Sequence, residues 1–215
     1  LEELDATTQR AIREKMHTHI LNDGDSMYQP GEEATAFYQV IEGLIILKRH
    51  NREGSEYLAT MHGPGECFGE IPLLMEKQRR GFEAVARGET HVASLSQENF
   101  QEITLTHPDV YPRLTNKLCN IVISLLEQVE SQSHTSLRQR LAKLLSEACI
   151  RHGKKCQDGI MIDIPLLQSD MGNMLGVTRQ SIQRELRHWK DQQWISKYEG
   201  RILILQPEAI IELCE

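Results

Sequence analysis

The chain has 215 residues, 40% hydrophobic and 26% charged, which excludes a disordered, collagen-like or purely coiled-coil protein and leaves room for one large domain or two modest ones. Its net charge of −7 conceals a division: residues 1–136 hold 12 Lys and Arg against 21 Asp and Glu, giving −9, and residues 137–215 hold 12 against 10, giving +2. The acidic whole argues against polyanion binding by the entire surface, whereas the second part permits a nucleic-acid contact confined to one element.

No stretch approaches the roughly 18 consecutive apolar residues of a membrane span, and the first residues carry no secretory pattern, so the expected setting is the cytoplasm without a membrane. Cys67, Cys119, Cys149, Cys156 and Cys214 are scattered and lack CxxC spacing, which fits a reducing compartment. Cys149, His152 and Cys156 supply three ligands, one short of a four-coordinate site, and no metal is expected.

From about residue 20 to residue 95, short apolar and β-branched runs alternate with turn signals at 22–25, 29–32, Glu42-Gly43, 52–54 and 63–65. Strands are expected at 36–41, 44–49, 56–60 and 91–95, forming a small antiparallel barrel or sandwich with an interior able to receive a ligand. After Pro108 the period changes. Leu114, Leu118, Ile121 and Leu125 recur at spacings of 4, 3 and 4, widened by Val122 and Val129. They predict a helix of about twenty residues with Pro112 in its first turn. Its seam exceeds what a small barrel covers and is expected to meet a twin helix in a homodimer, with intramolecular packing as the alternative.

Residues 132–136 break the stripe and mark a junction. The expected parts are therefore residues 1–107, a dimerisation helix and hinge at 108–136, and residues 137–215. The last part reads as a helix from 137 to about 151, a polar loop at 152–159 and a strand at 160–164. Helices near 166–174 and 181–193 follow, separated by Gly176, and then a turn at 199–200 and a strand at 201–205. Two helices over a tight glycine turn followed by a β-hairpin make a winged helix-turn-helix.

Between Thr178 and Lys190, Arg179, Arg184, Arg187 and Lys190 face only Glu185. Thr178 is placed to cap the second helix. Arg179, Gln180, Gln183 and Arg184 then share one face of its first two turns, where a recognition helix reads bases. Arg suits guanine O6/N7 and Gln suits adenine N6/N7. Gln168, Ser169, Thr178, Arg187, Lys190 and Lys197 are candidates for positioning and phosphate contacts, and Met174, Leu175, Val177, Ile182, Leu186 and Trp189 for the core.

The string from Leu166 to Ile195, LLQSDMGNMLGVTRQSIQRELRHWKDQQWI, resembles the helix-turn-helix of the Crp/Fnr family of bacterial transcription regulators. Upstream, GDSMYQPGEEATAFYQVIEGLIIL, GPGECFGEIPLL and KQRRGFEAVARGET are similar to that family's β-roll and phosphate-binding cassette, and HPDVYPRL to the start of its dimerisation helix. The resemblance spans nearly the whole chain. It implies an α+β protein with an N-terminal antiparallel β-roll (a double-stranded β-helix of the cyclic-nucleotide-binding kind), a long dimerisation helix and a C-terminal winged helix-turn-helix. It also implies a homodimer on a two-fold symmetric DNA operator, an allosteric effector in the roll, and RNA polymerase as a partner. Arg179 and Arg184 match the family's two recognition arginines, but Gln180 stands where an acid is expected, which implies a different half-site.

For the effector, Gly69, Glu70 and Arg80 match the family's cyclic-nucleotide contacts, while Gly81 replaces a serine that would hold the phosphate. Ile121, Leu125 and Leu126 occupy positions where polar groups would meet a purine. Three alternatives stay open: a cyclic nucleotide such as cAMP, another small ligand or none, and haem or redox sensing through His62 and Cys67. The four-cysteine iron–sulfur set of the oxygen-sensing branch is absent. No nucleophile–base–orienter set points to an enzyme. A competing function is a cyclic-nucleotide-binding module acting through protein partners.

Overall fold

The computed structural model describes residues 4–50, 56–76, 78–198 and 200–214, with the backbone alone at residues 127, 128 and 130–134. The expected turn at 52–54 lies outside the described residues. The chain divides into two compact units, residues 1–126 and 127–215.

The first unit opens with α1 (Ala6–Glu14), β1 (His17–Leu21), β2 (Ser26–Tyr28), β3 (Ala36–His50), β4 (Glu56–His62) and β5 (Cys67–Phe68). A short 3-10 turn at Ile71–Leu74, β6 (Glu83–Ser96), α2 (Gln97–Thr106) and the start of α3 (Val110–His134) follow. The strands form one antiparallel sheet in the order β1-β6-β3-β4, with β2 also on β6 and β5 also on β3. Glu42-Gly43 is not the expected turn. A single strand runs through it, and the register with β6 slips on both sides. Gly43 takes φ 88°, and a Cβ there would lie 2.6 Å from the Glu89 carbonyl oxygen. The Thr90 hydroxyl bonds the N–H and carbonyl of Leu44 at 3.2 and 3.3 Å. Glycine thus forms a bulge that re-aims the strand instead of reversing it.

Two apolar clusters fill this unit. One gathers Ile12, Phe37, Leu95, Phe100, Ile103 and Val110, with Leu114 packed against it. The other gathers Tyr28, Tyr38, Val40, Ile45, Phe68 and Val92. Sequence periodicity did not announce α1 or α2, yet each carries a plain start signal. Asp5 accepts the Thr7 and Thr8 N–H groups, and the Ser96 hydroxyl accepts the Asn99 N–H.

Helix α3 spans 25 residues, longer than the apolar stripe alone suggests, and it continues through the expected break at 132. In the second unit α4 (Leu137–His152) begins on Ser136, whose hydroxyl and N–H exchange hydrogen bonds with Gln139. Next come β7 (Gly153–Cys156), β8 (Gly159–Ile162), α5 (Gln168–Leu175), α6 (Arg179–Asp191), β9 (Ile195–Tyr198), β10 (Arg201–Ile204) and α7 (Pro207–Glu212). The expected polar loop at 152–159 is in fact largely β7, paired with β8 through all four residues. Exposed Lys154, Lys155 and Cys156 hid it, because an edge strand shows no apolar alternation. The sheet order is β7-β8-β10-β9. Leu141, Leu145, Met171, Ile182, Trp189, Ile202 and Ile210 are buried in this unit.

Candidate nucleic-acid interface and regulatory site

Helix α6 is positioned by its own sequence. Thr178 is its N-cap and accepts the Ser181 N–H at 3.2 Å. Gly176 makes the inter-helix turn in the left-handed region, φ 65°. The Val177 N–H returns to the Gly172 carbonyl at 2.9 Å, and a Cβ on Gly172 would stand 2.8 Å from the Val177 carbonyl oxygen, so the loop closes over a glycine-sized space. Ile182, Leu186 and Trp189, spaced 4 and 3, are buried and orient the helix.

The opposite face carries exposed Arg179, Gln180, Gln183, Arg184, Arg187 and Lys190. Glu185, the acid within this segment, turns away and pairs with Arg138 of α4, Nε to Oε2 at 3.0 Å. Among the described residues Arg179, Arg184, Arg187 and Lys190 form no ion pair. Ser169 is exposed and Gln168 half-buried at the start of α5, and Lys197 is exposed on β9. Arg201 on β10 is instead engaged by Asp163, which also holds Lys154. The result is a helix whose N-terminal face presents two arginines and two glutamines. Such a face can read base edges in a major groove.

The second constellation lies at residues 69–81. Gly69 has φ 79°, and a Cβ there would lie 2.8 Å from Arg80 Nη1 and 3.2 Å from Tyr38. Its absence lets Arg80 donate from Nη1 to the Gly69 carbonyl at 2.7 Å and from Nη2 to the Ala36 carbonyl at 2.5 Å. The guanidinium carbon lies 4.2 Å from the centre of the Tyr28 ring and 5.4 Å from that of Tyr38. Arg80 is only 3% exposed. Phe68 stacks on Tyr38 at 5.2 Å and lies 6.2 Å from Tyr28. Burial pushes both phenols up, against the opposing field of Arg80. Tyr28, Tyr38 and Phe68 thus pack together beside the Arg80 guanidinium.

Glu70 is 7% exposed and meets Lys117 of α3, whose Nζ lies 2.6 Å from Oε1 and donates to the Cys67 carbonyl at 2.9 Å. Gly81 is exposed, and a Cβ there would meet nothing within 4 Å. An open cavity of about 290 Å³, lined by Glu33, Glu76, Gln78 and Arg79, includes none of Gly69, Glu70, Arg80 and Gly81. His62 lies 5.7 Å from Phe68, ring to ring, and burial pushes the Cys67 thiol up. No group of three or more His, Cys, Asp or Glu among the described residues is arranged for a metal.

Along α3, Leu114, Leu118 and Ile121 are half-buried, whereas Val122, Leu125 and Val129 are more than half exposed. The helix thus meets the cassette through Lys117, and Leu125 faces solvent in the single chain. No helix among the described residues is long and apolar enough to cross a membrane.

Residues 19–107 match the cyclic nucleotide-binding domain family, and residues 139–213 match the Crp-like helix-turn-helix domain family. The chain is 26% identical over 189 residues to the cAMP-activated global transcriptional regulator CRP of Pasteurella multocida, covering 87% of this chain and 90% of that one. It is 24% identical over 188 residues to the global nitrogen regulator of Synechococcus elongatus, covering 87% and 85%. In fold it is similar to FixK2 from Bradyrhizobium japonicum, with a TM-score of 0.81, 18% identity and coverage of 93% and 98%. This chain belongs to the Crp/Fnr family.

As a Crp/Fnr protein it is a DNA-binding transcription regulator with a cyclic nucleotide-binding domain and a helix-turn-helix. Against that family background, sequence reasoning missed four participants. Lys117 had a signal: Val110, Leu114, Lys117 and Ile121 repeat at 4, 3 and 4, a second stripe beside the seam with a cation inside it. Tyr28 and Tyr38 looked like ordinary strand aromatics, and nothing local tied Arg138 to Glu185, 47 positions away.

Proposed function

We propose that this Crp/Fnr regulator acts as a cytoplasmic homodimer in which residues 108–136 mate through Leu114, Leu118, Ile121 and Leu125, and residues 137–215 of each copy read half of a two-fold symmetric operator. In this reading Arg179, Gln180, Gln183 and Arg184 contact base edges. Gln168, Ser169, Thr178, Arg187, Lys190 and Lys197 hold phosphates and register, with half-sites about one helical turn apart. Residues 1–107 form the regulatory roll, where Gly69, Glu70, Arg80, Gly81, Ile121 and Leu125 line the place an effector would take. RNA polymerase is the expected protein partner.

The observation that carries this reading is the unopposed cationic face of α6, whose nearby acid Glu185 is turned to Arg138. The apolar surface that α3 leaves open at Val122, Leu125 and Val129 supports a second copy. Gln180 favours adenine over cytosine at its position. The test is selection of duplexes from a random library, followed by titration of the enriched sequence. A palindromic site bound by a dimer is expected, and Arg184→Ala should relax the preference. Enrichment of no sequence at low salt, or binding by a monomer, would overturn the reading.

A further inference from the structure

Glu70 and Arg80 are the two buried charged side chains among the described residues of the roll. A buried charge needs a partner, since leaving one uncompensated is strongly destabilising. In this molecule Glu70 has an ionic partner from the chain itself, while Arg80 is engaged through its two Nη groups and its Nε is buried without a hydrogen-bond partner among the described residues. Arg80 is held by the Gly69 and Ala36 carbonyls and by two tyrosine rings. An anion claiming its Nη groups would have to displace those carbonyls and leave them buried without a donor. Gly81 offers no hydroxyl beside it. Glu70 is held by Lys117, whose ammonium also reaches the Cys67 carbonyl.

Lys117 does not belong to the cassette. It projects from α3, one turn from Leu114, which packs on the core of the roll. Its ammonium therefore joins residues 67–70 to the helix that carries the exposed seam and continues to His134. A small ligand bound between cassette and helix would make the same kind of bridge.

We infer that Lys117 is a built-in ligand of the roll: its ion pair with Glu70 fixes the cassette against α3, so operator binding does not require a cyclic nucleotide. This rests on the reading of the chain as a dimeric operator-binding regulator. Lys117 is a positioning residue acting through α3, and Glu70 is its anchor.

The experiment uses the full-length protein freed of small molecules, with duplex selection run in two arms, without addition and with saturating cAMP or cGMP. The same sequence should be enriched in both arms, with affinities agreeing within about threefold, and calorimetry should detect no cyclic-nucleotide binding. Lys117→Met should lower operator affinity about tenfold and speed amide exchange over residues 113–121, while Lys117→Arg should restore both. Thermal unfolding checks that the variants are folded. A nucleotide effect larger than threefold, or a folded Lys117→Met protein with unchanged affinity and unchanged exchange, overturns the inference. Enrichment in neither arm instead defeats the operator-binding reading. The latch is then decided by calorimetry and exchange alone, where nucleotide binding or unchanged α3 exchange would refute it.

Discussion

Arg80 and Arg184 are the same residue type in opposite circumstances. Arg80 is buried, donates to two carbonyls and lies against two rings. Arg184 stands on the surface of α6 with no ion pair among the described residues. Both look alike in a charge count. What separates them is whether the fold already engages the guanidinium, as it does for Arg80 through both Nη groups, with Nε left buried without a hydrogen-bond partner among the described residues. A cation whose donors the fold has engaged serves architecture first, because recruiting them elsewhere leaves their former acceptors bare. A cation held out in solvent, with its nearby acid drawn aside by another residue, is available to a partner at little cost.

The sharpest way to break this comparison is to remove Arg80. Arg80→Leu withdraws charge-assisted donors from the Gly69 and Ala36 carbonyls and a cation from the Tyr28 ring. A loss of about 3 kcal/mol in folding stability is expected. Urea unfolding followed by tyrosine fluorescence reads it, and a change under about 0.5 kcal/mol would mean that Arg80 is not structural. Next in size is Arg184→Ala, expected to cost about 1–3 kcal/mol in operator binding while leaving folding stability within about 0.5 kcal/mol. A large folding effect from Arg184→Ala would erase the distinction. Arg187→Ala should act more evenly, weakening all duplexes and reducing the slope of log affinity against log salt by about 0.9. Titrations of wild type and variant across a salt series would show it, and an unchanged slope would remove Arg187 from the phosphate contacts.

The same contrast explains what could be read from the sequence. Helix α6 was legible because its information is local. Thr178, Gly176, the 4-3 spacing of Ile182, Leu186 and Trp189, and the cluster of cations all lie within fifteen positions, and the structure sets them as that pattern requires. The roll was legible as alternating strands and turns, but its interior was not. Arg80 meets Ala36, 44 positions away, and Glu70 meets Lys117, 47 away. No periodicity encodes such pairings. Gly43 misled for a related reason: a glycine after an acid signals a turn locally, and only the crossing strand with Thr90 shows that a bulge is needed. Strand β7 escaped because its side chains are polar and exposed, and its pairing with β8 is carried by the backbone.

Asp5 supplies a third circumstance, a carboxylate that its own helix has engaged, and it gives the smallest effect. Its oxygens accept the Thr7 and Thr8 N–H groups at 2.8 and 3.1 Å and the Thr8 hydroxyl at 2.6 Å. The Thr8 hydroxyl is the largest cause holding its carboxyl down at about 2, below the ordinary 3.8. A depressed acid stabilises the fold above its unfolded value and loses that contribution as pH falls through its folded value. The stabilisation is therefore complete above about pH 4 and fades toward pH 2. Asp5→Asn keeps an acceptor but cannot ionise. Its melting temperature should trail wild type by about one or two degrees at neutral pH, and the gap should close between pH 4 and pH 2. A gap that persists unchanged to pH 2 would mean that the cap acts by shape alone. Asp5 would then not count as a charge the fold has engaged, and the line drawn between Arg80 and Arg184 would rest on the arginines only.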